Sequence, residues 1–220
     1  MTPRLIVFDL DGTLVDSAPD ITASVNRLLA ARGFRTLSQP DVAAMVGDGL
    51  HKLLERAFAA VGATPDETAA ADYLADYERH VLVETTLFPG IQTTLDQLAA
   101  DGWRIAVCTN KPAAAARLLL DGLGITHHLA AIGGGDSFST RKPDPGHLAA
   151  TIVAAAGDPT RAIMVGDHRN DIDAALGCGV PSIFAAWGYG PPAMAANATA
   201  VAPAPADLPR LATGLAAGWV

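Results

Sequence analysis

Cysteine is scarce in this 220-residue chain: Cys108 and Cys178, both in apolar segments, are the whole supply. Buried free thiols suit that placement better than a disulfide framework, which points to a reducing, cytoplasmic setting. Positive charge is also in short supply. Fifteen Lys and Arg stand against 23 Asp and Glu, for a formal net charge of -8, which argues against nucleic acid or an anionic membrane as a partner. No apolar run has the length of a spanning helix. The six His are scattered, with none of the spacing that holds zinc. The opening residues Met1-Thr2-Pro3-Arg4 run directly into an apolar segment and carry no secretory pattern. What the chain does have is hydrophobicity, in half of its residues. That is enough for a sizeable core without staples, as one large domain or a core with a smaller second domain.

Short β-branched runs at 4–8, 103–108 and 161–165, with weaker ones near 129–133 and 181–185, predict strands. Each is followed by a polar or glycine-containing turn and, in most cases, a helical pattern. This alternation reads as an α/β fold with a parallel sheet, whose ligands bind at the C-terminal strand ends. The Ala- and Pro-rich stretch 193–206 reads as a loop. Between the first two strands, residues 18–32, 40–46, 50–61 and 66–82 show helical spacing with no strand among them. They predict a small helical bundle that leaves after the first strand and returns near Phe88-Pro89-Gly90. The corresponding division is a core of residues 1–15 and 88–220 and a cap of residues 16–87. Such a bundle overhangs the strand ends as a lid, with candidate hinges at 15–17 and 83–88.

Four strand ends carry polar groups suited to one reaction. Asp9-Leu10-Asp11-Gly12-Thr13 places two carboxylates at the end of a buried strand, where like charges raise each other's ionisation cost unless a cation joins them. Thr109-Asn110 follows the second strand and could hold an oxyanion, or serve as an ordinary turn or cap. In Arg141-Lys142-Pro143-Asp144-Pro145, Asp144 reads as an N-cap and Pro145 as the first helical residue, so that Lys142 projects from the loop. Gly166-Asp167-His168-Arg169-Asn170-Asp171 places Asp167 and Asp171 four apart at a helix start. An oxygen-only donor set of few carboxylates suits magnesium better than zinc. Asp9, Asp167 and Asp171 contribute three negative charges, and magnesium with Lys142 supplies three positive ones. A phosphate dianion then enters a locally neutral site.

In order and spacing, Asp9-Leu10-Asp11-Gly12-Thr13, Thr109-Asn110, Lys142-Pro143 and Gly166-Asp167-x-x-x-Asp171 resemble the four motifs of the haloacid dehalogenase-like hydrolase superfamily. The resemblance covers nearly the whole chain and implies a Rossmann-like core with an inserted α-helical cap domain. Within the superfamily, the DLDGTLVDS opening, Val46-Gly47-Asp48-Gly49 with Leu54-Glu55-Arg56-Ala57, and Gly134-Gly135-Asp136 resemble the phosphoglycolate phosphatases. His168 departs from the small hydroxyl residue commoner there. The resemblance implies Asp9 as nucleophile on phosphorus and Asp11 as acid and then base. It implies magnesium held by Asp9, the Asp11 carbonyl, Asp167 and Asp171, the last directly or through water. Thr109, Asn110 and Lys142 are then phosphate-binding. A carboxylate at Asp11 favours O-phosphate esters over carbon–halogen or carbon–phosphorus substrates, with 2-phosphoglycolate as the leading small-molecule substrate.

The cap must choose the remainder of the substrate. Arg56 is a candidate for a small carboxylate, and equally reads as a solvated or structural Arg on an amphipathic helix. Gly47 and Gly49, flanking Asp48, permit close backbone approach to a substrate or end a helix. Trp187-Gly188-Tyr189-Gly190 reads as lining the pocket or packing beneath it, packing being preferred, and His80, His127, His128 and His147 as solvated or packing residues. Competing functions are hydrolysis of a sugar phosphate or pyrophosphate, a phosphosugar mutase, and, from another class, a phospho-accepting signalling domain. Oligomeric state is not legible.

Overall fold

The computed structural model describes residues 3–219; Met1 and Thr2 of the opening segment, and Val220, lie outside the described residues. β1 (Leu5–Phe8) is buried throughout, and its alternation serves two faces. Ile6 and Phe8 join one apolar cluster, and Leu5 and Val7 the other. The chain continues through β2 (Val15–Asp16), four helices, α1 (Ala18–Ala31), α2 (Gln39–Ala43), α3 (Leu50–Ala60) and α4 (Ala69–Tyr77), and β3 (Thr86–Leu87). Helix and strand then alternate: α5 (Ile91–Ala100), β4 (Arg104–Cys108), α6 (Ala113–Gly122), β5 (Leu129–Gly133), α7 (Pro145–Ala154), β6 (Ala162–Gly166), α8 (Arg169–Cys178), β7 (Ser182–Ala185), β8 (Ala200–Ala202) and α9 (Leu208–Leu215).

Six strands form one sheet in the order β5-β4-β1-β6-β7-β8, with every pairing parallel. β4 and β6 repeat the two-faced burial of β1. Ile105, Val107, Ile163 and Val165 meet α5, α6 and α9 through Ile91, Leu95, Leu119 and Leu208. Ala106, Cys108, Ala162 and Met164 meet α7 and α8 through Leu148, Ile152, Ala174 and Ala175. This is a Rossmann-like sheet with helices on both faces. The buried strands are near-continuous apolar runs because a doubly covered parallel sheet has no wet face.

The helical insertion also forms, with its ends tied together. β2 and β3 pair antiparallel, Val15 opposite Leu87 and Asp16 opposite Thr86. Asp20, buried in α1, accepts from the backbone N–H groups of Val83, Glu84 and Thr85 and from the Thr85 hydroxyl. Burial opposes ionisation of Asp20, but these donors outweigh it and hold its carboxyl below the usual range. The expected hinge segments are therefore a short ribbon with a carboxylate clasp.

Three sequence expectations need correction. The 193–206 stretch is not all loop: β8 lies within it, hydrogen-bonded alongside β7. Its Ala-Val-Ala sequence carries no alternation, because an edge strand with Val201 half exposed needs little apolar burial. The last cap helix covers 69–77 rather than 66–82, and the second 39–43 rather than 40–46. Among the described residues no helix is long and apolar enough to cross a membrane.

Candidate active site

The β1 ladder continues one residue past the strand, with the Asp9 N–H donating to the Val165 carbonyl at 2.8 Å. Asp9 is thereby fixed at the sheet's C-terminal edge between β4 and β6. The chain turns at once: Gly12 adopts φ +84°, and a β-carbon there would collide with the Asp167 carboxylate. Glycine is required both for the backbone conformation and for the approach. At the end of β6, Asp167 accepts from the Thr13 hydroxyl at 2.9 Å and from the Tyr189 N–H at 2.8 Å.

His168 caps α8. Its Nδ1 accepts from the Asn170 N–H at 3.2 Å, while its backbone N–H donates to Asp171 Oδ2 at 3.0 Å. The imidazole thus does the work of the commoner hydroxyl at this position. Asp171 Oδ1 lies 2.6 Å from Lys142 Nζ. That ammonium also donates to Asp9 Oδ1 at 2.9 Å and to the Cys108 carbonyl at 2.5 Å, which uses all three of its donors. Asp144 caps α7 as expected, accepting from the Gly146 N–H. The loop before it is braced by His147, whose Nδ1 accepts from the Lys142 N–H at 3.2 Å while Nε2 donates to the Gly134 carbonyl at 3.1 Å.

Asp9, Asp167 and Asp171 are all buried, with ligand atoms within 4.8 Å of one another. Burial, then the Asp9 charge, pushes Asp167 up to about 7. Burial also raises Asp171, against the pull of Lys142. Lys142 itself suffers the largest penalty from burial, yet Asp171 and Asp9 together overcome it and raise it above the usual lysine range. Three carboxylates around one ammonium are short of positive charge.

Thr109 is buried, and its hydroxyl accepts from the Lys111 N–H at 3.2 Å. The Asn110 amide donates to the Gly47 and Lys142 carbonyls, both at 2.9 Å, so it ties the cap loop to the core. Asn170 reaches the same loop, donating to Asp48 Oδ1 at 2.7 Å. Gly47 adopts φ +122°, and a β-carbon there would come within 2.6 Å of the His168 ring. Asp9, Asp11, Thr109 and Asn110 border a cleft together with Gly47, Gly49, Leu50, Leu53, Tyr73 and Tyr77. Arg56 is elsewhere. Its guanidinium donates to Asp48 Oδ2 at 2.5 Å and to the Met45 carbonyl at 3.0 Å, beside a separate open depression lined by Lys52 and Arg141.

Sequence reasoning missed Lys111, whose ammonium is 2.8 Å from Asp11 Oδ1 and 4.5 Å from the Tyr77 ring centroid. Its place directly after Thr109-Asn110 was the available signal. Ser17, donating to Asp11 at 2.6 Å, was also missed, and Tyr189 was read chiefly as packing. The Tyr189 hydroxyl accepts from the Ser17 and Ala18 N–H groups and donates to Asp16 at 2.8 Å. It does more than pack, as does His147.

An acidic strand end, facing a lysine loop and a second acidic strand end beneath a helical insertion, defines a class. The profile of the haloacid dehalogenase-like hydrolases matches residues 6–185, and the chain belongs to that family. It is 44% identical to a phosphoglycolate phosphatase of Agrobacterium fabrum, over 84% of this chain and 81% of that one. Identity to a phosphoglycolate phosphatase of Rhodospirillum rubrum is 40%, over 85% of this chain and 81% of the other. A crystal structure described as a predicted phosphoglycolate phosphatase from Haemophilus somnus superposes with a TM-score of 0.88 at 29% identity, covering 96% of this chain and 98% of that one. The protein is therefore a hydrolase of this family, and the signalling-domain alternative falls away.

Proposed function

We propose that this hydrolase is a magnesium-dependent phosphatase of small phosphate monoesters, foremost 2-phosphoglycolate, which it cleaves to glycolate and phosphate through an aspartyl-phosphate on Asp9. The observation that carries this reading is the buried trio Asp9, Asp167 and Asp171, with ligand atoms within 4.8 Å and one ammonium among them. An all-oxygen donor set short of positive charge fits a hard divalent ion. Asp9, Asp167 and the Asp11 carbonyl would hold it, with Asp171 joining directly or through water. When bound, magnesium supplies charge neutralisation for the phosphoryl oxygens and the acids.

On this reading an Asp9 oxygen attacks phosphorus, and the bond to the ester oxygen breaks as Asp11 gives that oxygen its proton. Asp11 next takes a proton from water. The water oxygen bonds to phosphorus, the bond to Asp9 breaks, and phosphate leaves with Asp9 restored. Thr109, Asn110 and Lys142 steady the transferring group, where positioning and electrostatics supply most of the catalysis. The Asn110 amide is committed to Gly47 and Lys142, so it meets the phosphoryl group only on exchanging one of them.

Residues 16–87 act as the cap of a core made of 1–15 and 88–220, a division supported by the β2–β3 ribbon through which both crossings pass. The unpaired thiols support a cytoplasmic setting. Phosphate release from two- and three-carbon esters, a sugar phosphate and pyrophosphate, with and without magnesium, tests the proposal. Release that is fastest from 2-phosphoglycolate and lost with the metal is expected. Isomerisation of a sugar phosphate without free phosphate would identify a mutase instead.

A further inference from the structure

The Lys111 side chain has no task in the scheme above, yet it is buried at the cleft. Its ammonium lies 2.8 and 3.1 Å from the two Asp11 oxygens and 4.5 Å from the centroid of the Tyr77 ring. Both hydrogen bonds go to one carboxylate, while the residue still borders the cleft that holds Asp9 and Asp11. The walls on the cap side, Leu50, Leu53 and Tyr73 among them, are apolar or aromatic. Lys111 is the cationic residue of that lining, since Arg56 is turned to Asp48 and the Met45 carbonyl.

We propose that Lys111 is the specificity subsite for an anionic group on the alcohol half of the substrate, chiefly a carboxylate carried one carbon from the ester oxygen. The inference rests on the reading in which Asp11 serves the leaving oxygen. An ammonium hydrogen-bonded to Asp11 then stands just beyond that oxygen, on the cap side, and a carboxylate attached through one carbon spans the gap. Against the apolar wall on the cap side, a charge-assisted hydrogen bond to this ammonium meets little competition from water. An alkyl phosphate with a neutral tail has no such contact. A longer or bulky tail is displaced towards Leu50, Leu53 and Tyr73. The substrate class is therefore a short alkyl phosphate with a second negative charge.

The test is a pair of non-hydrolysable phosphonates matched in length, 3-phosphonopropionate and propylphosphonate, which differ by a carboxylate in place of a methyl group. Calorimetric binding isotherms are recorded with magnesium present for the wild type, Lys111→Met, Lys111→Gln and Lys111→Arg. The wild type is expected to favour 3-phosphonopropionate by about 10- to 100-fold, the worth of one charge-assisted hydrogen bond. That preference should shrink to within about threefold in Lys111→Met and Lys111→Gln and survive largely in Lys111→Arg. Equal affinities in the wild type, or a preference that persists in the neutral variants, overturn the inference. Melting curves show which variants fold; if Lys111→Met does not, the wild type, Lys111→Gln and Lys111→Arg decide. Because neither probe can be hydrolysed, a protein that binds as expected but releases no phosphate from any ester refutes the catalytic reading and leaves the subsite standing.

Discussion

At the ends of β1 and β6 the polar atoms are held by several partners at once. Lys142 has its three donors placed, Asp171 has both oxygens engaged, and Asp167 is clasped by Thr13 and Tyr189. The cleft beneath α3 and α4 is built differently, with walls of Leu50, Leu53, Tyr73 and Tyr77 and one cation, Lys111. The first region is charged and densely hydrogen-bonded; the second is largely apolar and offers few directional contacts. A preorganised group of dipoles and charges suits a reaction step, because it need not rearrange as charge develops. An apolar wall with one cation suits selection by size and charge. On the proposed reading, chemistry belongs to the strand ends, and choice to the cleft that Lys111 of the core and the apolar side chains of the insertion share.

The comparison breaks most directly at Asp9. Asp9→Asn keeps the shape and one Lys142 contact but removes the proposed nucleophile, and turnover should fall by about 10⁴-fold or more. Phosphate release from highly purified protein checks this, with circular dichroism to confirm the fold. Turnover within about tenfold of wild type would move the chemistry away from the strand end. Lys142→Met should lose activity by about 10²- to 10³-fold as a phosphoryl-holding charge disappears. It should also destabilise the metal-free protein by about 3–5 kcal/mol in urea melts, because it leaves buried carboxylates without their ammonium. Added magnesium should recover part of that stability, and a melt indifferent to the ion would argue against a cation among the three acids.

The two regions also differ in what the sequence discloses. The strand-end groups were legible because each motif is local: the apolar run fixes the strand, and the next one or two residues must lie at its C-terminal edge. The α7 start followed from the Asp144 cap written beside Pro145. Lys111 was not legible because its environment comes from Asp11 and Tyr77, 100 and 34 residues away in the chain. Periodicity places Arg56 on a helix but cannot say that Asp48 and the Met45 carbonyl hold it. His147 was read as solvated or packing for the same reason: its partners Lys142 and Gly134 converge only through the fold. β8 was hidden by composition, since alanine carries no strand signal.

His147 offers a pH test of the core alone. Burial, then the neighbouring Lys142 charge, lowers this imidazole to about 4 from 6.5. The folded state therefore binds the neutral ring, and the unfolded chain takes up a proton first as pH falls. Stability should be full above about 6.5 and decline between about 6.5 and 4, by up to about 3 kcal/mol. His147→Gln should flatten that part of the curve in urea melts, while other groups titrating there remain. A slope unchanged by the substitution would mean that His147 is protonated without cost in the fold.

Smaller effects are expected where cap meets core. Asn170→Ala removes the amide that reaches Asp48 at 2.7 Å and Gly47 at 3.3 Å. It should cost about 1 kcal/mol or less locally. Hydrogen exchange at residues 46–49 should quicken, and turnover should fall only several-fold. Arg56→Ala should do least. Its ion pair with Asp48 is part-exposed, at 41% and 25% of the side chains, and such pairs contribute about 0–1 kcal/mol. The KM for 2-phosphoglycolate should then change by less than about threefold, against a much larger rise in Lys111→Met. If Arg56→Ala instead raises that KM tenfold and spares a neutral ester, the guanidinium must leave Asp48 for the substrate when the cap closes. Choice would then depend on a cap movement as well as on the apolar cleft.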